Sequence, residues 1–330
     1  MKKASKGKKV FAGIAIGLAA VIALYTLFCL IAPPFVYPDF FRQAEAVQTI
    51  PGLWGGFVPQ GVTKTASGSV LVCGYMQQDA PSRIYRLDPD GSVSELLLRR
   101  ENGDEYGGHA GGLTAAGDYV YISNASKIFV LDAASVEAAQ DGDTLTFLGH
   151  FEVPCRSSFC SSDGTMLYVG EYHAPGYDTE DSHRVETADG TAFQAIVFAY
   201  RLDPQGEWGV AEATVPAAAY AFCDKVQGFA VTADGRAYLS CSSGLADSKL
   251  HCYAVGTPDR TFSTGDAEIP LTVLDETRRI DTLTMPHMSE DLEADGDRLL
   301  MGFEAGALKF GAGLLPFSVR SVMALTLESK

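Results

Sequence analysis

A phrase made of a short polar turn and an alternating strand recurs five times along the chain. Every copy holds a glycine in the turn, and the copies span residues 66–72, 116–121, 162–169, 233–239 and 294–301. Glycine supplies the positive φ that a tight hairpin needs, and apolar residues at every second position mark a half-buried strand. Self-similarity of this kind restricts the chain to a repeat architecture built from β-hairpins.

Three other strand types accompany this phrase in a constant order. A strand precedes each turn, at residues 60–63, 111–114, 158–161, 227–231 and 290–293. Another strand follows, at residues 83–88, 127–132, 196–203, 250–255 and 321–327. The fourth type ends in proline at 47–51, 151–154, 213–216 and 283–286, and residues 93–98 are a copy without it. Proline fits a strand end, where no ladder N–H is needed. Four antiparallel strands repeated radially form the blades of a β-propeller.

The sequence therefore predicts an all-β chain, with a five-bladed β-propeller over residues 44–330. The last unit stops after its third strand, so residues 44–50 are expected to supply the missing outer strand and close the ring. Six blades are the alternative, because the long segment 173–195 has room for strands that the pattern does not reveal. Only residues 133–139 have a helical pattern within this region.

Residues 161–169, which read Ser-Ser-Asp-Gly-Thr-Met-Leu-Tyr-Val, resemble the repeat of YVTN-type and lactonase-like β-propellers. Similar phrases occur in all five units, so the resemblance covers most of residues 44–330. It implies the architecture, whereas unrelated enzymes and binding modules share such blades. Lactonase-like propellers hold calcium at the channel, so Ca²⁺ is the alternative to having no cofactor. Gln60 stands where that family usually begins its first inner strand with an acid. The oxygen ligands that the resemblance implies are Glu290, Asp291, Glu171, Asn124 and Glu304.

The N-terminus combines five lysines and no acid in residues 1–9 with an uncharged apolar run over residues 10–34. Such a run is long enough to span a membrane as a helix, and the lysines are expected to keep the N-terminus in the cytoplasm. A cleaved secretory signal is the alternative. The anchor is preferred because the apolar run is long for a signal, and because Pro33 and Pro34 follow in place of a small-residue cleavage site. Residues 35–43 then form a linker, and the C-terminal domain lies outside the cytoplasm at the cell membrane.

Charge restricts the partners of that domain. The first 42 residues hold six of the 25 basic residues and one of the 41 acidic ones, so the remainder has a net charge of about −21. Nucleic-acid binding depends on neutralising phosphates and is therefore excluded. A cation or a neutral ligand is compatible with this charge.

Six cysteines follow the apolar run, and an even number outside the cytoplasm permits disulfides. Their spacings match no zinc site. Cys241 and Cys252 lie on consecutive strands of one hairpin and are the predicted pair. Free buried thiols are the alternative.

One face of the predicted propeller carries unusual residues, and the other carries mostly generic Asp-Gly turns. The loops that lead into the inner strands share a face with the loops between second and third strands. This face is therefore the predicted site for a small molecule, a glycan or a protein. Polar residues at the strand ends are the predicted ligand-binding residues: Gln60, His109, Arg156, Gln227, Tyr75, Asn124 and His173.

Two classes of function are compatible with such a face. The first is a membrane-anchored ligand-binding or protein-binding module, because no catalytic motif for a serine hydrolase, an NTPase or a zinc protease occurs. The alternative is a hydrolase at the channel mouth, similar to a glycosidase or a lactonase, with or without a calcium requirement. The sequence leaves the choice between enzyme and binding module open. The carboxylates available for acid, base or metal-binding roles are Glu290, Asp291, Glu171 and Glu304. The candidate metal ligands among them are Glu290 and Asp291.

Overall fold

The computed structural model describes residues 3–78, 80–311 and 315–327. The predicted basic tail begins, and the predicted propeller domain ends, outside these ranges. Within them, the helices are α1 (Lys3–Ile31), α2 (Pro33–Val36), α3 (Pro38–Gln43) and α4 (Ala133–Ala138), with short 3-10 helices at Leu53–Gly55, Asp181–His183, Glu207–Gly209 and Leu308–Phe310.

The remaining regular structure in the described ranges is strand. The strands are β1 (Ala44–Thr49), β2 (Phe57–Lys64), β3 (Val70–Met76), β4 (Arg83–Leu87), β5 (Val93–Arg99), β6 (Gly112–Ala116), β7 (Tyr119–Asn124), β8 (Lys127–Asp132), β9 (Thr144–Thr146), β10 (Gly149–Glu152), β11 (Phe159–Ser162), β12 (Met166–Gly170), β13 (Val185–Glu186), β14 (Ala192–Phe193), β15 (Ala195–Arg201), β16 (Ala218–Phe222), β17 (Val226–Val231), β18 (Arg236–Cys241), β19 (Ser248–Ala254), β20 (Arg260–Ser263), β21 (Glu268–Val273), β22 (Arg279–Met285), β23 (Ser289–Asp295), β24 (Arg298–Phe303) and β25 (Ser321–Thr326).

The strands form a five-bladed β-propeller, as the repeat predicts. From the inner strand outwards, the blades are β2-β3-β4-β5, β6-β7-β8-β10, β11-β12-β15-β16, β17-β18-β19-β22 and β23-β24-β25-β1. The fifth blade takes its outer strand from the front of the domain, because β1 pairs antiparallel with β25 and Ala44 lies opposite Leu325. The ring is therefore closed by strands from the two ends of the repeat region.

Two blades extend beyond four strands. In the first blade, β9 pairs in parallel with β5, and in the third blade β21 and β20 continue the sheet beyond β16. The segment 173–195 adds only the small ribbon β13-β14, so the six-bladed alternative is wrong. The outer strand of the third blade is β16, which follows the proline-ended segment 213–216 that the sequence pattern had indicated.

Both faces of each blade are buried against a neighbouring blade. Side chains alternate across a strand, so β7 directs Val120 and Ile122 towards the first blade and Tyr121 towards the third. In the same way, β24 directs Leu299 towards the fourth blade and Leu300 towards the first. Five apolar clusters of described residues result, one between each adjacent pair of blades.

The segment Lys9–Ile31 of α1 has a mean hydropathy of 2.6 and is almost entirely exposed. Its length and composition would allow it to cross a membrane. Short helix α3 then packs along the fifth blade, where the Phe40 ring lies 6.0 Å from the ring of Phe303. Phe40 is completely buried, so its side chain attaches the helix to the fifth blade.

Glycines allow the inner strands to approach one another around the narrow channel. A Cβ built on Gly61 would lie 2.4 Å from the backbone nitrogen of Leu113, and one on Gly112 would lie 2.2 Å from that of Cys160. Neither neighbour can move without shifting its strand, because backbone atoms are involved. Positions 61 and 112 are therefore restricted to glycine.

We expect Gly61→Ala to lower the free energy of unfolding by about 1–3 kcal/mol, the usual cost of overpacking. The control is Gly107→Ala, since Gly107 is exposed and a Cβ there would meet no atom within 4 Å. Urea unfolding of the full chain in detergent measures both variants. Equal stability of Gly61→Ala and Gly107→Ala would contradict the close approach of the inner strands.

Candidate functional site

A cavity of about 750 Å³ opens on the face where the inner strands begin, here called the mouth. Its wall combines amides, carboxyls, hydroxyls, aromatic rings and two basic side chains. The residues that line it are Gln60, Tyr75, His109, Gly111, Asn124, Ala125, Ser126, Arg156, Ser157, Ser158, Tyr172, Tyr177, Gln227, Ser243, Gly244, Glu290, Glu304 and Lys309. This is the face that the distribution of unusual loop residues indicates.

Bulges in three inner strands present polar side chains to the cavity. The pairing registers shift between Pro59 and Val62 in β2, between Val226 and Gly228 in β17, and between Ser289 and Leu292 in β23. The residues at these shifts include Gln60, Gln227 and Glu290, all of which line the cavity. A bulge changes the direction of a side chain locally. In each of these three blades it directs one polar side chain into the mouth.

Each inner strand is also entered through a residue with positive φ. Gly56 has φ 94°, and its counterparts in the other blades are Ala110 (51°), Ser157 (45°), Lys225 (68°) and Met288 (59°). Residues other than glycine occupy this region at a conformational cost. Four non-glycine residues with an unfavourable backbone conformation therefore lie around the mouth, in the loops that lead into the inner strands.

Two carboxyl groups form the most unusual feature of the wall. Glu290 is buried, and its carboxyl lies next to that of Glu304, close enough for each to affect the pKa of the other. Gln227 Nε2 donates to Glu290 Oε1 at 3.3 Å, and Gln60 Nε2 donates to Glu304 Oε2 at 3.2 Å. Two neighbouring carboxylates repel each other when both are ionised, so this pair (the carboxyl pair) favours a state in which one member carries a proton.

Burial is the main cause that raises the pKa of both members of the carboxyl pair. The pKa of Glu290 lies well above its usual value, with the neighbouring carboxylates adding to the effect. The pKa of Glu304 is raised to about 7, although Lys309 acts in the opposite direction. The pair therefore retains a proton near neutral pH and can both donate and accept hydrogen bonds.

Aromatic rings form another part of the wall. The rings of Tyr75 and His109 are stacked with centroids 4.5 Å apart and an interplanar angle of 25°. Lys309 Nζ contacts the Tyr75 hydroxyl and lies 5.0 Å from the centroid of its ring. His109 is accessible from the opening of the cavity. Desolvation by the atoms packed around its ring, with a contribution from Lys309, lowers the pKa of His109 to about 4, so its imidazole is neutral at pH 7. Tyr172 and Tyr177 add a second aromatic pair, with centroids 5.6 Å apart.

Eight of the residues singled out in the sequence meet in this cavity: Gln60, Tyr75, His109, Asn124, Arg156, Gln227, Glu290 and Glu304. Three others lie elsewhere. Glu171 is buried beneath the segment 173–195, where its Oε1 lies 2.7 Å from Nδ1 of His183. His173 Nδ1 lies 2.8 Å from Oδ1 of Asp224. Asp291 is buried among the inner strands, below the cavity wall.

Asp291 accepts hydrogen bonds from backbone N–H groups at the unpaired edges of the inner strands. The innermost strand of each blade has one edge without a ladder partner, and in a narrow channel its N–H groups need acceptors. Asp291 Oδ2 accepts from the Leu113 N–H at 3.1 Å, and its Oδ1 accepts from the Leu292 N–H at 3.0 Å. These contacts join the fifth blade to the second across the channel.

Glu293 has the same role further along the channel. Its Oε1 accepts from the hydroxyls of Thr114 and Thr63, at 2.8 Å and 3.1 Å, and its Oε2 accepts from the Ser162 N–H at 3.3 Å. Burial raises its pKa to about 8. Asp291 and Glu293 together, here called the channel acids, connect four of the five blades through polar contacts.

The set of oxygen ligands implied by the lactonase-like resemblance is not assembled. Calcium takes six to eight oxygen ligands. Glu171 and Asp291 are occupied by the partners described above, which leaves only Glu290, Glu304 and Asn124 near the cavity. Both members of the carboxyl pair also accept hydrogen bonds from glutamine amides. The described residues therefore do not fit a calcium site of that kind.

Lys309 and Tyr172 are among the contributors to the cavity that sequence reasoning missed. Lys309 comes from the connection between β24 and β25, and it is the only charged residue between Glu304 and Arg320 in the sequence. A single charge in an otherwise apolar loop is the signal that could have identified it. Tyr172 immediately precedes the segment 173–195 and resembles many other tyrosines at strand ends, so no signal marked it.

The predicted Cys241–Cys252 disulfide is not formed. In the β18-β19 hairpin, Cys241 lies opposite Lys249 and Cys252 lies opposite Tyr238. Because side chains alternate across a strand, the three-residue offset directs the two cysteines to opposite faces. Cys241 Sγ instead lies 3.8 Å from Sγ of Cys223, which belongs to the third blade.

No family model and no curated protein matches the chain. Among solved structures, it is similar to the PQQ-bound form of an aldose sugar dehydrogenase from Streptomyces coelicolor, at 15% identity and a TM-score of 0.44 over 86% of this chain and 98% of that one. It is also similar to a putative oxidoreductase (glucose dehydrogenase) from Thermus thermophilus, at 15% identity and a TM-score of 0.41 over 86% and 99% of the two chains. Likeness at this level carries no inference about the function of this chain.

Proposed function

We propose that the protein is a membrane-anchored binding module that holds a small, neutral, hydrogen-bonding molecule in the mouth cavity. The carboxyl pair, flanked by Gln60 and Gln227, is the observation that carries this proposal. A volume of about 750 Å³ is within the range of small-molecule sites. Residues Lys9–Ile31 of α1 would be the anchor, with the propeller outside the cytoplasm.

The chemistry of the wall favours a polyhydroxylated ligand such as a sugar. The carboxyl pair and the two glutamine amides offer both donors and acceptors, which match hydroxyl groups. The stacked rings of Tyr75 and His109 line the cavity and offer an aromatic surface for a sugar ring. The acidic surface of the domain disfavours a polyanion.

A hydrolase is the second candidate, and the pKa of about 7 for Glu304 is the observation that favours it. A carboxyl with that pKa is suited to general acid–base catalysis at neutral pH. Glycosidases, however, separate their two carboxyl groups by about 5–9.5 Å, with sugar or water between them. The two carboxyls here lie next to each other, so binding is better supported than glycoside hydrolysis.

We expect a neutral mono- or oligosaccharide from a defined panel to raise the melting temperature of the full chain in detergent. A ligand at about 100 times its Kd adds about 2.7 kcal/mol to the stability of the folded state. Glu290→Gln and Tyr75→Ala should each weaken this binding by about tenfold or more, equivalent to about 1.4 kcal/mol. Asp266→Asn is the matched control, because Asp266 is exposed in the turn between β20 and β21 and does not line the cavity.

Two outcomes would contradict the binding proposal. If the same panel is hydrolysed and Glu290→Gln abolishes turnover without lowering stability, the hydrolase candidate is correct. If calcium stabilises the chain and no saccharide does, the ligand class is wrong and the fit to calcium must be reconsidered.

A further inference from the structure

Exposed apolar side chains form a rim around the mouth. Trp54 is 62% exposed, Tyr177 61%, Leu245 65% and Leu308 42%. Each comes from a different connection on the mouth face: β1-β2, β12-β15, β18-β19 and β24-β25. Single exposed apolar residues are ordinary, but four on one rim indicate a surface that meets another apolar phase.

Helix α1 leaves the propeller at this same face. The Phe28 ring near its end lies 6.0 Å from the Phe317 ring, and the Tyr37 ring lies 6.1 Å from Phe317. Phe317 belongs to the β24-β25 connection on the mouth face. The Tyr37 hydroxyl donates to Asp247 Oδ1 at 2.7 Å, and Asp247 belongs to the β18-β19 connection on that face. A bilayer that α1 spans would therefore begin at the level of the mouth.

The part of the rim that continues from Phe317 has the composition of a membrane interface. The 3-10 helices Leu53–Gly55 and Leu308–Phe310 are in contact, which brings Trp54 and Leu308 into one patch. The Arg320 guanidinium lies 5.9 Å from the centroid of the Trp54 ring, and Lys309 follows Leu308 in the chain. Tryptophan and basic residues together are typical of the headgroup region of bilayers. Basic residues here stand out on a domain with a large negative charge.

We infer that the mouth face lies against the surface of the bilayer that α1 crosses, with Trp54 and Leu308 in the headgroup layer. The cavity then opens towards the membrane, and a ligand enters through the space between the rim and the lipid. This inference rests on the proposed membrane span and is independent of the ligand proposed for the cavity. The partner of the rim is then the lipid bilayer, and the inference would be wrong if a folded protein covered the rim.

The two tryptophans of the chain provide a direct test because they lie on opposite faces. Trp208 lies in the β15-β16 connection, on the face away from the mouth, where its backbone carbonyl accepts a hydrogen bond from Tyr121. The full chain is reconstituted into vesicles of phosphatidylcholine and phosphatidylglycerol that carry bromine on their acyl chains, which quenches nearby tryptophans. Trp208→Phe leaves only Trp54 to report, and Trp54→Phe leaves only Trp208.

We expect Trp54 emission to be quenched several-fold more than Trp208 emission, and Trp54 emission to shift to shorter wavelength on reconstitution. If Trp208→Phe fails to fold, the loss of quenching between the wild-type chain and Trp54→Phe gives the same comparison. Equal quenching of the two tryptophans, or none, would overturn the inference. A blue shift of Trp54 that depends on protein concentration and not on lipid would also overturn it, because a second copy of the chain would then cover the rim.

Discussion

Asp291→Ala is expected to lower the free energy of unfolding by about 2–6 kcal/mol, because it leaves two buried N–H groups without an acceptor, each at a cost of about 1–3 kcal/mol. These donors are the backbone amides of Leu113 and Leu292, at 3.1 Å and 3.0 Å from the carboxyl. Asp291 is fully buried, so water cannot replace the lost acceptor without entering the channel. Urea unfolding of the full chain in detergent, followed by circular dichroism, measures the change.

Two controls separate a role in the fold from a role in the site. Asp291→Asn keeps one acceptor oxygen and should lose less stability than Asp291→Ala. Asp266→Asn changes an exposed acid and should stay within about 0.5 kcal/mol of the wild type. If Asp291→Ala unfolds like the wild type but no longer responds to a ligand of the cavity, Asp291 is a site residue and its assignment to the channel acids is wrong.

The architecture could be predicted because its signals are local. The glycine turns and the alternation of strands such as β7 and β24 are encoded within a few residues, and their constant order gave five blades. The closing strand β1 followed from the same order, since the last unit ended before its outer strand. Each of these features depends on neighbours in the sequence and little on distant packing.

The roles of the acids could not be predicted, because they depend on bulges and on side chains far away in the sequence. Glu290 and Asp291 are adjacent in the chain, yet the shift in register within β23 sends one to the cavity and the other into the channel. Glu171 does not reach the mouth cavity. It contacts His183, which belongs to the segment 173–195. The cysteines show the same limit, since the register of the β18-β19 hairpin decides which side chains meet.

The carboxyls of Glu304 and Glu293 are expected to make stability fall as the pH rises from about 4.5 to about 8. The lowered pKa of His109 and of His251 opposes this effect up to about pH 6.5, so the fall is clearest between pH 6.5 and pH 8. Burial raises the pKa of Glu304 to about 7 and that of Glu293 to about 8. Unfolding returns each carboxyl to a pKa near 4.3. Above that pH the unfolded chain loses these protons while the folded chain keeps them, so the folded state binds more protons and rising pH favours unfolding. Each such proton contributes a slope of up to about 1.4 kcal/mol per pH unit.

Glu293→Gln isolates the larger of these two contributions, because glutamine is neutral at every pH and of similar size. We expect this variant to lose less stability than the wild type between pH 5 and pH 8 in urea titrations at each pH. Glu45→Gln, which changes an exposed acid on the outer strand β1, should keep the slope of the wild type. If Glu293→Gln had the same slope as the wild type between pH 6.5 and pH 8, Glu293 would have to be ionised in the folded chain.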